Sequence, residues 1–230
     1  MANQKLEEIL RKIREIEELP TYEEAVELFR ICGSTSIVDL AFYSQSIPHS
    51  LFQVWNVEFV DALAVEIKRL DGGKVLEMGA ADGKLAYHLR LRGIPVIATD
   101  DYSMHMLRNE ALVNKMTHIE ALEIHNPRVV IASWVRDIAD DVMWHPSVDS
   151  LILIYSSCCH VPDYRLTPLT PQRRQFQEAT MENVRRYGVC AGDFYPNGMN
   201  HSVVLHLRRI GTEPNYSKAT NTSLPSTFTW

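Results

Sequence analysis

Residues 74–103 read KVLEMGAADGKLAYHLRLRGIPVIATDDYS. A short apolar run, Val75–Leu76, leads into a stretch poor in side chains, Gly79-Ala80-Ala81-Asp82-Gly83. Leu85 and Leu89 then recur four apart until Gly93 stops the pattern, so the reading is strand, tight turn, helix. A second apolar run, Pro95–Thr99, ends in Asp100-Asp101. Gly79 permits backbone angles and a close approach that a side chain would block. Free N–H groups at the helix start favour a polar or anionic ligand group. In nucleoside sites an acid at the end of the second strand accepts hydrogen bonds from both ribose hydroxyls. The stretch therefore anticipates a nucleoside-bearing ligand.

The surrounding chain extends the alternation. A weak third strand, VNKM (113–116), precedes THIEALEIHN (117–126), a helix with Thr117 as cap and Glu120 completing a capping box. Ser103 is placed to cap a helix over SMHMLRNEAL. RVVIASWV (128–135) and SLILIYS (150–156) are nearly uniformly apolar, as strands covered on both faces must be. The pattern predicts a helix over PQRRQFQEATMENVRRYG (171–188). It predicts a closing strand pair, VCAGDF and HSVVLHLRR, around the turn signal in YPNGMN. The fold class is α/β: a doubly wound, mostly parallel seven-stranded sheet with a final antiparallel strand.

Residues 1–72 read as an N-terminal helical cap or lid. Leu6, Ile9, Leu10, Ile13, Ile16 and Leu19 recur at helical spacing, a packing face with a homodimer contact as the alternative. Thr21 is placed to cap a second helix, and STSIVDLAFYSQS carries a third helical pattern. A longer helix follows Pro48, with Ser50 or Asn56 as its cap. Residues 73–211 form the cofactor-binding domain. Residues 212–230, rich in Ser, Thr, Asn and Pro, read as a flexible tail.

The chain has 230 residues and a formal charge of −6. That balance argues against a broad nucleic-acid-binding surface. The charged amino terminus is no secretory signal, and no apolar run reaches membrane-span length. Cys32, Cys158, Cys159 and Cys190 show no framework spacing. A reduced, cytoplasmic setting is expected.

The dinucleotide signature is G-x-G-x-x-G, and Glu77 stands where its first glycine would be. A carboxylate there would repel a pyrophosphate, which disfavours a nicotinamide- or flavin-dependent oxidoreductase. E-x-G-x-x-x-G, from Glu77 to Gly83, resembles the first motif of class I S-adenosylmethionine-dependent methyltransferases. VIATDDYSMHML resembles that family's second motif, and PRVVIASWV its fourth strand. The resemblance implies that S-adenosyl-L-methionine is the cofactor. Glu77, Gly79, Ala80 and Gly83 would then cradle its amino-acid half, and Asp100 would hold the ribose, with Asp101 as rival. Tyr102 is placed to pack on adenine. Thr117 and His118 fall at the adenine edge, where the family often has an acid, and Ser133 and Trp134 lie beside the methyl group. The segment YSQSIPHS (43–50) resembles a cofactor-covering segment.

The expected activity is methyl transfer to oxygen or nitrogen of a small-molecule acceptor, with no nucleic acid and no membrane as partner. The alternative is a non-catalytic subunit or binding module of the same fold. Such an acceptor must lose a proton, so His160, in the loop after the fifth strand, is the candidate base. Tyr43 is the candidate orienting hydroxyl. Tyr43, Gln45, His49, Phe52 and Trp55 are the lid residues expected to face the site. Adjacent Cys158 and Cys159 lack metal-ligand spacing, so no metal is expected.

Overall fold

The structure, a computed structural model, describes residues 2–32, 53–70, 73–103, 109–135, 138–157, 173–190 and 201–212. The third helical pattern, the segment 43–50 and the tail from 213 lie outside the described residues. Helices α1 (Ala2–Arg14) and α2 (Tyr22–Cys32) pair through a small apolar cluster containing Ile9, Ile13, Ala25 and Leu28. Thr21 caps α2 by a reciprocal box: its Oγ1 accepts from Glu24 N at 3.2 Å, and its own N–H donates to the Glu24 carboxylate at 2.8 Å. Helix α1 stops at Arg14, five residues short of Leu19, because residues 15–17 already turn.

Helix α3 (Val57–Arg69) begins at Asn56, the second of the two expected caps. Asn56 is fully buried; its Oδ1 accepts from Phe59 N at 2.9 Å and its Nδ2 donates to Tyr187 O at 2.8 Å. From there the elements are β1 (Val75–Met78), α4 (Lys84–Leu91), β2 (Val96–Asp100) and β3 (Asn114–Lys115). Next come α5 (His118–His125), β4 (Val129–Ser133), α6 (Ala139–Trp144) and β5 (Ser150–Ser156). A single 3₁₀ turn (Arg173–Gln175) leads to β6 (Phe176–Thr180), α7 (Glu182–Arg185) and β7 (Ser202–Arg209).

The seven strands lie in the order β3-β2-β1-β4-β5-β7-β6. All run parallel except β7, which is antiparallel to both of its neighbours. Successive residues of each strand point to opposite faces. Val75, Val96, Ile131, Ile152 and Val204 face α3, α4 and α7. Leu76, Val130, Leu151, Leu153 and Leu205 face α5 and α6. Helix α3 thus forms part of the covering layer of the sheet.

Two expectations need correction. The segment read as one helix over 171–188 contains β6, which pairs with β7, and residues 191–194 of VCAGDF lie outside the described residues. Strand β6 is an edge strand whose residues after Phe176 are exposed, so its composition is as polar as that of a surface helix. Cys190, in VCAGDF, bridges to Gln53. Of the helix expected over 103–112, the described residues 110–112 form a turn.

Asn56→Ala removes a cap and strands the Tyr187 carbonyl. It should lower the unfolding free energy by about 2 kcal/mol in urea titrations. Asn56→Ser, which keeps a capping oxygen, should lose about half of that.

Candidate functional site

The carboxyl ends of the parallel strands gather the chemistry-bearing residues, as in open sheets of this type. Strand β1 ends at Met78, and Gly79 turns the chain at φ +67°. A Cβ on Gly79 would lie 2.2 Å from Val135 Cγ2, so the position admits no side chain for reasons of space as well as backbone angle. Ala80 N–H donates to Thr99 O at 3.1 Å, Ala81 sits at φ +49°, and Gly83 closes the turn by donating to Ala80 O at 2.7 Å. Gly83 (φ +77°) packs against Val113.

Asp100, at the end of β2, reaches back over this loop. Its Oδ2 accepts from Ala81 N at 2.9 Å and its Oδ1 from Tyr102 N at 2.7 Å. Each carboxylate oxygen accepts two hydrogen bonds, so capacity for further donors remains. Asp101 is exposed, and hydrogen bonding from Ser103 N–H holds its carboxyl below the usual aspartate range. Tyr102 departs from expectation: its ring is 5% exposed within the core, and its hydroxyl donates to Val113 O at 3.4 Å. It does not lie open to stack on a ligand.

Glu77 is buried beneath the loop, where its carboxyl accepts the N–H of Ala86 in the first turn of α4. Burial, reinforced by the charges of Asp82 and Asp100, pushes it up to about 8. The group is therefore mostly neutral at pH 7, and charge repulsion alone does not decide which ligand it faces. Its Oε2 has no hydrogen-bond partner among the described residues, and neither has Ser133 Oγ at the end of β4. Glu77 pairs in register with Ile131, two residues before Ser133, so both orphaned atoms belong to one stretch of the sheet. Trp134, next in the chain, turns at φ +59° and donates its backbone N–H to Ile154 O at 2.9 Å.

At the far side of this edge, Thr117 Oγ1 is engaged in the capping box of α5 with Glu120. His118 Nε2 lies 2.9 Å from Asp141 Oδ2 of α6. His160, Tyr43, Gln45, His49, Phe52, Cys158 and Cys159 lie outside the described residues. Trp55 is half-buried and packs on Phe59 at 5.5 Å between ring centroids.

Sequence reasoning passed over Lys84. Its Nζ donates to the carbonyls of Lys12 (2.6 Å), Ile13 (2.9 Å) and Glu15 at the end of α1. A lysine directly after the turn glycine thus satisfies carbonyls that the helix leaves unpaired, and it docks the N-terminal helices on the loop. Burial lowers this group to about 8 against the pull of Asp82 and Glu18. No local signal marks such a contact across 72 residues. A separate groove of about 540 Å³, bordered by Arg69, Gln177, His206 and Arg208, opens between α3 and the β6–β7 pair. Arg208 is level with Ser150, the first residue of β5, so this groove lies at the other end of the sheet.

The seven-stranded, mostly parallel sheet with one reversed strand and a glycine turn after β1 matches the architecture expected from the resemblance to class I S-adenosylmethionine-dependent methyltransferases. No protein-family model matches the chain, and neither does any curated protein. Among solved structures the chain is similar to the 23S rRNA methyltransferase ErmE at 16% identity, covering 68% of each chain, with a TM-score of 0.40. A dimethyladenosine transferase from Plasmodium falciparum matches at 18% identity over 70% of this chain and 63% of its own, with a TM-score of 0.39. The plantazolicin methyltransferase BpumL in complex with SAH matches at 9% identity over 91% and 99%, with a TM-score of 0.39. The expectation that nucleic acid is no partner is corrected: two of these structures are named for RNA or adenosine modification. A net charge summed over the chain does not exclude a local acceptor surface. No helix among the described residues is long and apolar enough to cross a membrane.

The folded-state value of Glu77 lies above the ordinary 4.5. The stability contributed by its neutral form is therefore full below about pH 4.5 and lost as pH rises through about 8. Melting temperatures of the ligand-free protein should fall between about pH 5 and about pH 9 by the equivalent of a few kcal/mol. Glu77→Gln, which keeps a carbonyl for Ala86 N–H, should flatten that profile.

Proposed function

We propose that the protein binds S-adenosyl-L-methionine over the β1–α4 loop and transfers its methyl group to an oxygen or nitrogen of an acceptor at the carboxyl edge of β4 and β5. The observation that carries this reading is the bond from Ala81 N–H to Asp100, which holds the turn and the strand-end acid together. The orphaned oxygens of Glu77 and Ser133 support it, since buried polar groups without partners cost about 1–3 kcal/mol each until something binds them.

In this reading Gly79, Ala80 and Gly83 form the slim floor that lets a ligand approach the backbone, and Asp100 accepts the ribose hydroxyls. Asp101 is the second acid within reach of that end. The Glu77 carboxyl, under the loop, offers an acceptor or a donor according to its protonation. His118, with Thr117 behind it, lies at the adenine end, and Ser133 and Trp134 at the methyl end. The cofactor supplies an activated methyl carbon. The protein's part is to position, desolvate and stabilise charge around it. His160 is our candidate for the base that takes the acceptor's proton, and Tyr43 for its orienting hydroxyl. Their places in the sequence, after β5 and in the segment before α3, support these roles. We read residues 1–72 as a helical cap on the domain of residues 73–211, with α1 held to the loop by Lys84 and α3 packed into the core of the sheet itself.

Calorimetry decides the matter. S-adenosylmethionine and S-adenosylhomocysteine should both bind the intact protein, and NAD should not. Asp100→Asn, which keeps an acceptor for Ala81 N–H but loses its charge and the bond from Tyr102 N–H, should weaken both by about ten- to a hundredfold. Absence of heat with either sulfur ligand on the folded wild type would remove the reading.

A further inference from the structure

Gln53 stands out among the described residues because its whole amide is unmet. It is 3% exposed, and neither Nε2 nor Oε1 has a hydrogen-bond partner. More than nine in ten buried polar groups are paired in native proteins, so an amide lacking both of its bonds calls for a ligand.

Its place in the fold says which ligand. Gln53 bridges to Cys190 in antiparallel fashion, Val54 N–H donates to Val189 O at 2.8 Å, and Asn56 holds Tyr187. One residue on from Tyr187, Gly188 lies hard against Ser202, where an added Cβ would come within 2.4 Å of the serine Cβ. Ser202 pairs with Ser156, the last residue of β5. These contacts link Gln53, through Cys190, Gly188 and Ser202, to the carboxyl end of β5, next to β4, whose own end carries the orphaned Ser133 hydroxyl. Asp100 and the ribose end of the loop lie on the other side of β1.

We infer that Gln53 is a specificity residue for the methyl acceptor, reading a planar edge that sets an N–H donor beside a carbonyl or ring-nitrogen acceptor. A primary amide presents a donor and an acceptor side by side. It therefore selects carboxamides, lactams and amino-substituted heterocycles over acceptors that only donate or only accept. The inference rests on the methyl-transfer reading and adds to it the chemistry of the acceptor.

The test uses the full chain, with S-adenosylhomocysteine binding measured first in the same sample. Failure there overturns methyl transfer and, with it, the assignment of Gln53 to an acceptor. With that ligand saturating, nicotinamide is the probe and N,N-dimethylnicotinamide, which lacks the N–H donors, the control, both followed by saturation-transfer NMR. Nicotinamide should bind the wild type, the control about tenfold more weakly, and Gln53→Met should reduce nicotinamide binding by about tenfold or more. The methionine variant should bind S-adenosylhomocysteine unchanged and melt no lower than the wild type, because the native amide makes no bond that the variant loses. If nicotinamide fails to bind, binds Gln53→Met equally well, or is matched by its dimethyl control, the inference is overturned while the methyl-transfer reading stands. A markedly lower melting temperature for Gln53→Met would likewise overturn it in favour of a structural role.

Discussion

The chain leaving β1 has one way out. Strand β1 has β2 on one side and β4 on the other, with helices over both faces, so its exit must pass between Thr99, which accepts the Ala80 N–H, and Val135, which fills the space beside Gly79. Only a residue without a side chain fits there at φ +67°. That constraint sets the start of α4, and α4 in turn carries Lys84 to the end of α1 and Ala86 to the carboxyl of Glu77. Much of the molecule's architecture is arranged around one crowded turn.

The acids near this turn behave differently because their surroundings differ. Glu77 lies under the loop in the interior, where burial favours the neutral form. Asp100 spends its charge on two backbone donors, and Asp101, in solvent, is held by Ser103. Three of the four carboxyls between residues 77 and 101 thus divide into a neutral buried acid, a loop tie and a surface acid. The sheet edge they share also holds the Ser133 hydroxyl, which has no partner among the described residues, and unmet polarity of this kind suits a polar ligand rather than a packed core.

The fold was largely legible. Uniformly apolar strands such as Leu151–Tyr155 report burial on two faces, and the capping signals at Thr21, Asn56 and Thr117 sit where helices begin. Strand β6 was not legible, because an edge strand with one buried residue, Phe176, has no alternation to distinguish it from an exposed helix. Tyr102 was misjudged for a related reason. An aromatic beside a strand-end acid looks like a stacking platform until its backbone, at φ +55°, turns the ring into the core.

At the β1–α4 loop, sequence alone picked out the turn glycines and the acid at the end of β2, because a tight turn and a strand end follow from local backbone geometry and from spacing along one strand–turn–helix unit. It determined the sheet's class for the same reason: periodicity is a local property. What only the tertiary structure decided are relations between residues far apart in the chain. These include the neutrality of Glu77, the docking of α1 by Lys84, the partnership of His118 with Asp141 and the unmet amide of Gln53. Each depends on desolvation or on a neighbour brought in by packing, and neither leaves a mark on the residues immediately before and after.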